Sequence, residues 1–370
     1  MKPNFTSKLL IAALCGFAYA PAFGDTTWIS TSSTTFTTVG NWNNGLPSTG
    51  PQMAIFADSA TIQHTIDITG TTARNTIGIY FNPLFSGGAG FTFGSSANNS
   101  PGFQSRAGGT ANGILNNDND TQTFNVSLTL FTSTGIAGAG AAQTLNAAAG
   151  NLVFSGNHPA GRSTINNNGG TVTVDGAHNV TIGISGATYG DLIGTGGLIK
   201  NGAGTLTLGG TAANTFSGGT TLNAGTILAA KANALTSGGA LVASGGTFAT
   251  GGLNQSLGTL DLNGSLALDL GSGASAVSFN NSSALDWGTF NLNISNWTLG
   301  SDTLRFGTGA TGLTAGQLAL INFVDLGGAH GQIDANGYVT PAPVPEPSTL
   351  ALSLLGGLGM ATWIRRRRLA

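Results

Sequence analysis

The stretch that decides the fold spans residues 196–228 and reads GGLIKNGAGTLTLGGTAANTFSGGTTLNAGTIL. Within it, Thr205-Leu206-Thr207-Leu208 and Thr226-Ile227-Leu228 alternate polar and apolar side chains. A period of two, carried by threonine and branched residues, is typical of short β-strands. Gly-Gly, Asn-Gly and Ala-Gly pairs between the strands supply turns that need positive φ. The stretch therefore predicts a repeated order of strand and turn.

The same pattern fills the chain between residues 25 and 340. Thr171-Val172-Thr173-Val174 and Leu266-Ala267-Leu268-Asp269-Leu270 are further examples. The chain has 370 residues, of which 60 are Gly and only 7% are charged. Helices need charged faces and lose stability from interior Gly, so the composition argues against a helical or α/β enzyme. Disorder is also disfavoured, because 40% of residues are hydrophobic and the net charge is only −2.

The quoted stretch resembles a known repeat. Its core Leu198-Ile199-Lys200-Asn201-Gly202-Ala203-Gly204-Thr205-Leu206-Thr207-Leu208, then Ser217-Gly218-Gly219-Thr220-Thr221 and Ala224-Gly225-Thr226, is similar to the autotransporter-associated β-strand repeat. The resemblance implies an all-β, right-handed parallel β-helix, or solenoid, of exported surface proteins. Stacked coils would also disfavour charge, because like charges would stack on one another. A β-sandwich stays as the alternative, since it also uses short strands and Gly turns.

The pattern suggests several regions. Residues 25–109 are richer in aromatic residues and are assigned to an N-terminal β region or cap, with Trp42-Asn43-Asn44-Gly45-Leu46-Pro47 as a turn-rich opening. Residues 110–300 form the predicted solenoid, with one clear repeat at 196–228, and residues 301–340 form a C-terminal cap. Residues 313–324 are expected to contain a short helix or strand. A second aromatic cluster is read as part of that cap: Trp287, Phe290, Trp297, Phe306 and Phe323.

The first 24 residues read as a signal peptide. Lys2 and Lys8 precede an apolar run that is too short to span a bilayer, and small residues follow. Cleavage is expected between Gly24 and Asp25, after export by the general secretion machinery. Removal of Cys15 with the signal would leave a mature chain without cysteine.

The other end of the chain reads as a membrane segment. Residues 348–364 carry no charge, and as a helix they would reach ~26 Å, slightly less than a ~30 Å hydrocarbon core. Four arginines follow and would hold that end in the cytoplasm: Arg365, Arg366, Arg367 and Arg368. A single transmembrane helix over residues 348–364 is therefore expected, with the region before it outside the inner membrane.

Residues 341–370 as a whole resemble the PEP-CTERM sorting signal of exported bacterial proteins. The motif residues are Val344, Pro345, Glu346, Pro347, Ser348 and Thr349. The resemblance implies processing by an exosortase, a membrane protease that would cut near Pro-Glu-Pro. The protein would be anchored in the inner membrane before processing, and then delivered to the cell surface or extracellular matrix.

Residues suited to catalysis are sparse between residues 25 and 340. Glycoside hydrolysis usually needs two carboxylates ~5–9.5 Å apart, and Asp261 and Asp269 would provide them only if stacking brought them together. Lyases need a base beside a group that neutralises uronate, whereas the basic residues here are scattered. They are Arg74, Arg106, Arg162, Lys200, Lys231 and Arg305. We expect no enzymatic activity.

Cofactor, metal and nucleic-acid sites are not expected either. Asn116-x-Asp118-x-Asp120 imitates the start of a calcium loop, but Thr121 stands where Gly is needed. Lys200 is followed by Asn201, which does not fit a phosphate loop. No close ligand pair is formed by His64, His158, His178 or His330. Acidic side chains outnumber basic ones in the exported region, which argues against nucleic acid.

Two function classes remain. The first is a structural or adhesive protein of the cell envelope or extracellular matrix. The second is a surface carbohydrate-binding or polysaccharide-processing β-helix protein, with extracellular polysaccharide as its partner. An exposed aromatic row along one face would favour the second class. Aromatic residues concentrate toward the ends of the chain instead, which favours the first.

Overall fold

The computed structural model describes residues 25–47, 52–57, 62–68, 74–76, 78–82, 89–94, 103–106, 113–131, 142–158 and 164–343. The predicted signal peptide, the predicted membrane helix at 348–364 and the sorting motif at 344–349 lie outside these residues. Within the described ranges, no helix is both long enough and apolar enough to cross a membrane.

The described residues form short strands. The first sixteen are β1 Thr26–Thr27, β2 Ala54–Ala57, β3 Thr65–Ile66, β4 Arg74–Thr76, β5 Gly78–Asn82, β6 Thr92–Phe93, β7 Phe103–Arg106, β8 Gly113–Asn116, β9 Gln122–Phe124, β10 Leu128–Phe131, β11 Gln143–Ala147, β12 Leu152–Phe154, β13 Ile165–Asn166, β14 Val172–Asp175, β15 Val180–Ile182 and β16 Leu192–Ile193.

The remaining strands follow in the same style. They are β17 Leu198–Lys200, β18 Thr205–Leu208, β19 Thr220–Leu222, β20 Thr226–Ala229, β21 Leu241–Ala243, β22 Thr247–Ala249, β23 Gln255–Ser256, β24 Leu260–Leu262, β25 Leu266–Asp269, β26 Ala276–Phe279, β27 Leu292–Ser295, β28 Thr303–Phe306, β29 Ile321–Phe323, β30 Gly331–Ile333 and β31 Tyr338–Pro341. One α-helix, α1 (Ala315–Ala319), and two 3-10 turns, Val39–Asn41 and Val324–Leu326, complete the described elements.

These strands stack into a three-sided solenoid. The first side is β1-β2-β5-β8-β11-β14-β17-β19-β21-β24, and the second is β29-β27-β25-β22-β20-β18-β15-β12-β9-β6-β3. The third side consists of two separate sheets, β16-β13-β10-β7-β4 and β23-β26-β28-β31-β30. The chain visits the three sides in turn, and each strand pairs with the equivalent strand of the next coil.

The pairing decides between the two predicted architectures. Strands of successive coils are parallel, as in Thr144 with Thr173 and Thr205 with Thr226. Among the described strands, antiparallel pairing is confined to β28 with β31 and β31 with β30. A sandwich is built of antiparallel sheets, so the structure supports the solenoid. Its right-handedness stays a prediction.

Inward side chains form columns that run from coil to coil. On the second side, register pairing aligns Phe93, Phe124, Phe154, Ile182, Leu208, Ala229 and Ala249. The Phe93 and Phe124 ring centroids lie 4.8 Å apart, and those of Phe124 and Phe154 lie 4.9 Å apart, with nearly parallel planes. Part of the aromatic content therefore fills the interior at coil spacing, which differs from the expectation that aromatic residues mark the two ends.

The N-terminal end of the stack is covered by its own chain. Trp42 forms an antiparallel bridge with Trp28 next to β1, and the two rings lie 5.3 Å apart, edge to face. Thr35 similarly bridges Asp67 beside β3. Parallel pairing already begins at Thr26, well before the boundary at residue 110 drawn from the sequence. These contacts occupy strand edges that would otherwise be open to pairing.

The C-terminal end is closed differently on each side. On the first side, Trp287 Nε1 donates to Leu260 O at 3.1 Å, and Leu260 N donates to Ser282 Oγ at 3.0 Å. On the third side, the hairpin of β30 and β31 pairs with β28. Residues 313–324 contain both a short helix, α1, and a strand, β29. Phe290, assigned to the cap from the sequence, is partly exposed.

Candidate functional site

The third side is interrupted halfway along the stack. Between β16 and β23 it has no strand in two successive coils, at residues 209–219 and 230–240. The first and second sides continue through the same coils as β17-β19-β21 and β18-β20-β22. The first interruption belongs to the repeat recognised at 196–228. The break is therefore a local feature of one side, not an end of the solenoid.

Side-chain amides replace the missing strand pairing. The described residues show no backbone hydrogen bond between 213–217 and 234–239. Instead, Asn214 Oδ1 accepts from Leu192 N at 2.8 Å, and Asn214 Nδ2 donates to Ala234 O. Gln255 Oε1 then accepts from Ala234 N at 2.9 Å. Asn214 and Gln255 are both buried, so these amides satisfy backbone groups that water does not reach.

Lys231 ties three coils together at the same place. Its Nζ donates to Gly190 O at 2.8 Å, to Ala212 O at 2.6 Å and to Asn214 Oδ1 at 3.2 Å. Burial lowers the pKa of Lys231 to about 8, and the nearby Asp191 carboxylate opposes that shift. Because an ammonium has three N–H donors, this set of acceptors uses all of them. The side chain therefore works as a clamp.

A buried polar corner precedes the interruption. Thr164 Oγ1 lies 3.0 Å from His158 Nε2 and accepts from Gly190 N at 2.8 Å. Thr164 N donates to Asp191 Oδ1 at 2.7 Å, and the His158 ring stacks on Tyr189. A histidine beside a hydroxyl is the pairing used for nucleophile activation. Thr164 is fully buried, however, so a substrate cannot approach its hydroxyl in this conformation.

Lys200 is a second buried cation that the sequence did not single out for its position. It stands in an inward column of the first side, paired with Val174 on one flank and Leu222 on the other. Its Nζ donates to Gly202 O and, at 3.4 Å, to Ala224 O. Burial lowers its pKa, while Asp175 opposes the shift. Strand alternation was the available signal, because Lys200 is two residues beyond inward-facing Leu198.

The interruption leaves a groove on the surface. It has a volume of about 470 Å³ and is lined by residues 214–217 of one coil and 236–239 of the next. Thr215, Ser217 and Ser237 are exposed along it. Thr236 is only 8% exposed, and its Oγ1 has no hydrogen-bond partner in the structure. The sequence gave no sign of this groove, since it depends on how two coils align.

The other candidates from the sequence lie apart from this site. Asp118 Oδ1 accepts from Asp120 N at 3.2 Å, and Gln122 Nε2 lies 3.4 Å from Asp118 Oδ2, so the carboxylate serves its own loop. Asp261 lies on the first side and Asp269 on the second, so stacking does not pair them. Among the described residues, no group of three His, Cys, Asp or Glu is placed to hold a metal.

The terminal site residues are mostly outside the described ranges. Gly24, the sorting motif at 344–349 and the arginines at 365–368 all lie there. Asp25, the expected first residue of the mature chain, is described and buried. Its Oδ1 accepts from Met53 N at 2.9 Å, which holds the start of β1 against the next coil.

Comparison with known families identifies two segments. The model of the passenger-associated transport repeat matches residues 198–229, which are strands β17 to β20 and the first interruption. The model of the PEP-CTERM protein-sorting motif matches residues 343–368. No curated protein and no solved structure matches the chain. The chain therefore carries a passenger-associated transport repeat within a parallel β-solenoid and, after it, the PEP-CTERM sorting motif of exported proteins.

Proposed function

We propose that the protein is a non-enzymatic structural or adhesive component of the cell envelope or extracellular matrix, sorted and processed by an exosortase. The observation that carries the proposal is the sorting motif at residues 343–368, which begins two residues after β31. Because β31 belongs to the hairpin that closes the third side, the processing site directly follows a folded unit. Cutting there would release the solenoid intact.

The sorting segment has the chemistry that this role needs. Pro345 and Pro347 restrict the backbone on both sides of Glu346, which is the chain's only glutamate. A peptide that is already extended loses less entropy when it enters a protease cleft. Arginine at the bilayer centre costs at least ~2.5 kcal/mol on insertion scales, so four in succession would stop translocation. In this proposal, residues 348–364 hold the motif at the membrane until it is cut.

The solenoid suits a structural or adhesive role. Its coils are held by backbone pairing on two uninterrupted sides, and its interior is a continuous set of apolar columns. Both ends are covered by side chains and short antiparallel segments, which limits pairing of one molecule's strands with another's. The protein would thus present long lateral surfaces to its surroundings rather than polymerise end to end.

The experiment is to replace Pro345-Glu346-Pro347 with three alanines in the full-length protein. We expect this variant to stay uncut in the inner membrane, as judged by fractionation and mass spectrometry of its C-terminus. The matched control replaces Pro341 and Pro343 with alanine, which removes two nearby prolines and leaves the motif intact. It should be processed like the wild type. Deletion of residues 348–370 should release an unprocessed protein. Normal cleavage of the triple variant would refute the proposal.

A further inference from the structure

We propose that the groove between residues 214–217 and 236–239 is a binding site for a neutral saccharide unit of an extracellular polysaccharide. The groove's volume, about 470 Å³, lies within the ~300–1,000 Å³ typical of small-molecule sites. It exists because the third side has no strand in these two coils, so their loops are free to separate at the surface.

The lining chemistry indicates the ligand class. The eight residues of the two segments supply hydroxyl, amide and backbone groups, and none of them is charged. Hydroxyls both donate and accept hydrogen bonds, as sugar hydroxyls do. An anionic ligand would need a cation, but the nearby Lys231 ammonium is already committed to Gly190 O, Ala212 O and Asn214 Oδ1. The lining therefore favours a neutral polyhydroxyl ligand.

Thr236 supplies the second observation. Its hydroxyl is buried without a partner, which costs about 1–3 kcal/mol for a polar group. The neighbouring residue is Gly239, where a Cβ would lie only 2.6 Å from Thr236 Oγ1. Glycine thus leaves open the side of the hydroxyl that any larger residue would cover. A sugar hydroxyl entering the groove there would give Thr236 its missing partner.

The wall beneath the groove is held in place before any ligand arrives. Asn214 bonds to the backbone of both flanking coils, and Lys231 fixes Asn214 from inside. Phe216, the next inward residue of the same segment, is fully buried. A wall that is already ordered reduces the entropy lost on binding. The site does not depend on the proposed sorting, because binding is a property of the folded solenoid.

The test is calorimetric titration of the purified full-length protein with soluble oligosaccharides. The neutral ligands are cellohexaose, maltohexaose and laminarihexaose, and the anionic comparison is an oligogalacturonate of similar length. We expect at least one neutral ligand to bind. Ser237→Tyr, which fills the groove from an exposed position, should abolish that binding. Thr236→Val, which removes the hydroxyl and keeps the shape, should weaken it about tenfold.

The control variant is Ser301→Tyr, which places the same ring on an exposed turn far from the groove. It should bind like the wild type. Circular dichroism of each variant should match the wild type, and Ser237→Tyr provides the test if Thr236→Val alters folding. The proposal is overturned if none of the neutral ligands binds, if the oligogalacturonate binds more tightly, or if Ser237→Tyr leaves affinity unchanged.

Discussion

The coils before residue 194 and the two coils that follow it are built differently. In the earlier coils all three sides carry strands, and the interior column of the second side is filled by stacked phenylalanines. In the later coils the third side has no strand, and the same column is filled by Leu208 and Ala229. The cross-section narrows as the filling residues become smaller. Wide coils are held by backbone pairing and aromatic packing, whereas the narrow coils depend on side-chain clamps.

Coil length follows the same trend. Thr144 pairs with Thr173, 29 residues further along, whereas Val242 pairs with Asp261, only 19 residues further along. A short coil has fewer residues with which to build a third strand. The repeat therefore gives up one side of the sheet, and the groove forms where that side is missing. The difference teaches that a functional surface can arise from the shortening of a coil.

The largest expected effect comes from breaking the aromatic column. Phe124 is almost fully buried between two stacked rings, so Phe124→Ala should cost about 3–5 kcal/mol of unfolding free energy. The reverse change, Ala229→Phe, adds a ring where the column is narrow and should cost about 1–3 kcal/mol. Guanidinium unfolding measures both. A neutral or stabilising Ala229→Phe would show that the column does not narrow.

The next effect concerns the buried cation of the narrow coils. Lys200→Ala removes a buried aliphatic stem and the donor to Gly202 O and Ala224 O, and should cost about 2–4 kcal/mol. Lys200→Met keeps the stem and loses only the ammonium, so its cost should be smaller, about 1–2 kcal/mol. The difference separates packing from hydrogen bonding. Equal costs for the two variants would contradict the inward position of the stem.

The clamp at the interruption is expected to matter less for global stability. Lys231→Met removes donors to Gly190 O and Ala212 O, and should cost about 1–2 kcal/mol. Its effect should be local, with faster amide hydrogen exchange in residues 209–217 and unchanged exchange in β14 and β15. Exchange that increases evenly over the whole chain would argue against a local clamp.

The smallest effect is on pH dependence. Burial lowers the pKa of folded Lys231 to about 8, whereas an unperturbed lysine titrates at 10.5. Between those values the unfolded chain binds more protons than the folded chain, so stability should rise with pH. Thermal unfolding at about pH 7.5 and about pH 9.5 measures the rise. Lys231→Met should flatten it, leaving the part due to Lys200, and a fall in stability over this range would contradict the assignment.

Much of the strand structure was predictable, because alternation is a local property. Thr205-Leu206-Thr207-Leu208 predicted a strand and its buried face, and the structure places Leu206 and Leu208 inside. The sorting motif and the repeat were recognisable for the same reason, since their residues are contiguous. The stacked solenoid followed from the low charge, the turn residues and the resemblance together.

The candidate site was not predictable in the same way. The groove depends on which residues of one coil lie beside those of the next, and coil length varies along the chain. No fixed period relates Asn214 to Ala234, or Lys231 to Gly190. Phe93, Phe124 and Phe154 are likewise separated by unequal loops, so their stacking is not visible as a regular spacing. These contacts are set by long-range register, which short patterns do not encode.

The most direct test of the central claim compares the three sides within a single coil. Amide hydrogen exchange resolved by mass spectrometry should show slow exchange in β19 and β20, where strands pair on both flanks. Residues 236–239 of the same coil should exchange much faster, because the third side lacks strand pairing there. Equally slow exchange in 236–239 would mean that the third side is paired, and would contradict this account of the interruption and its groove.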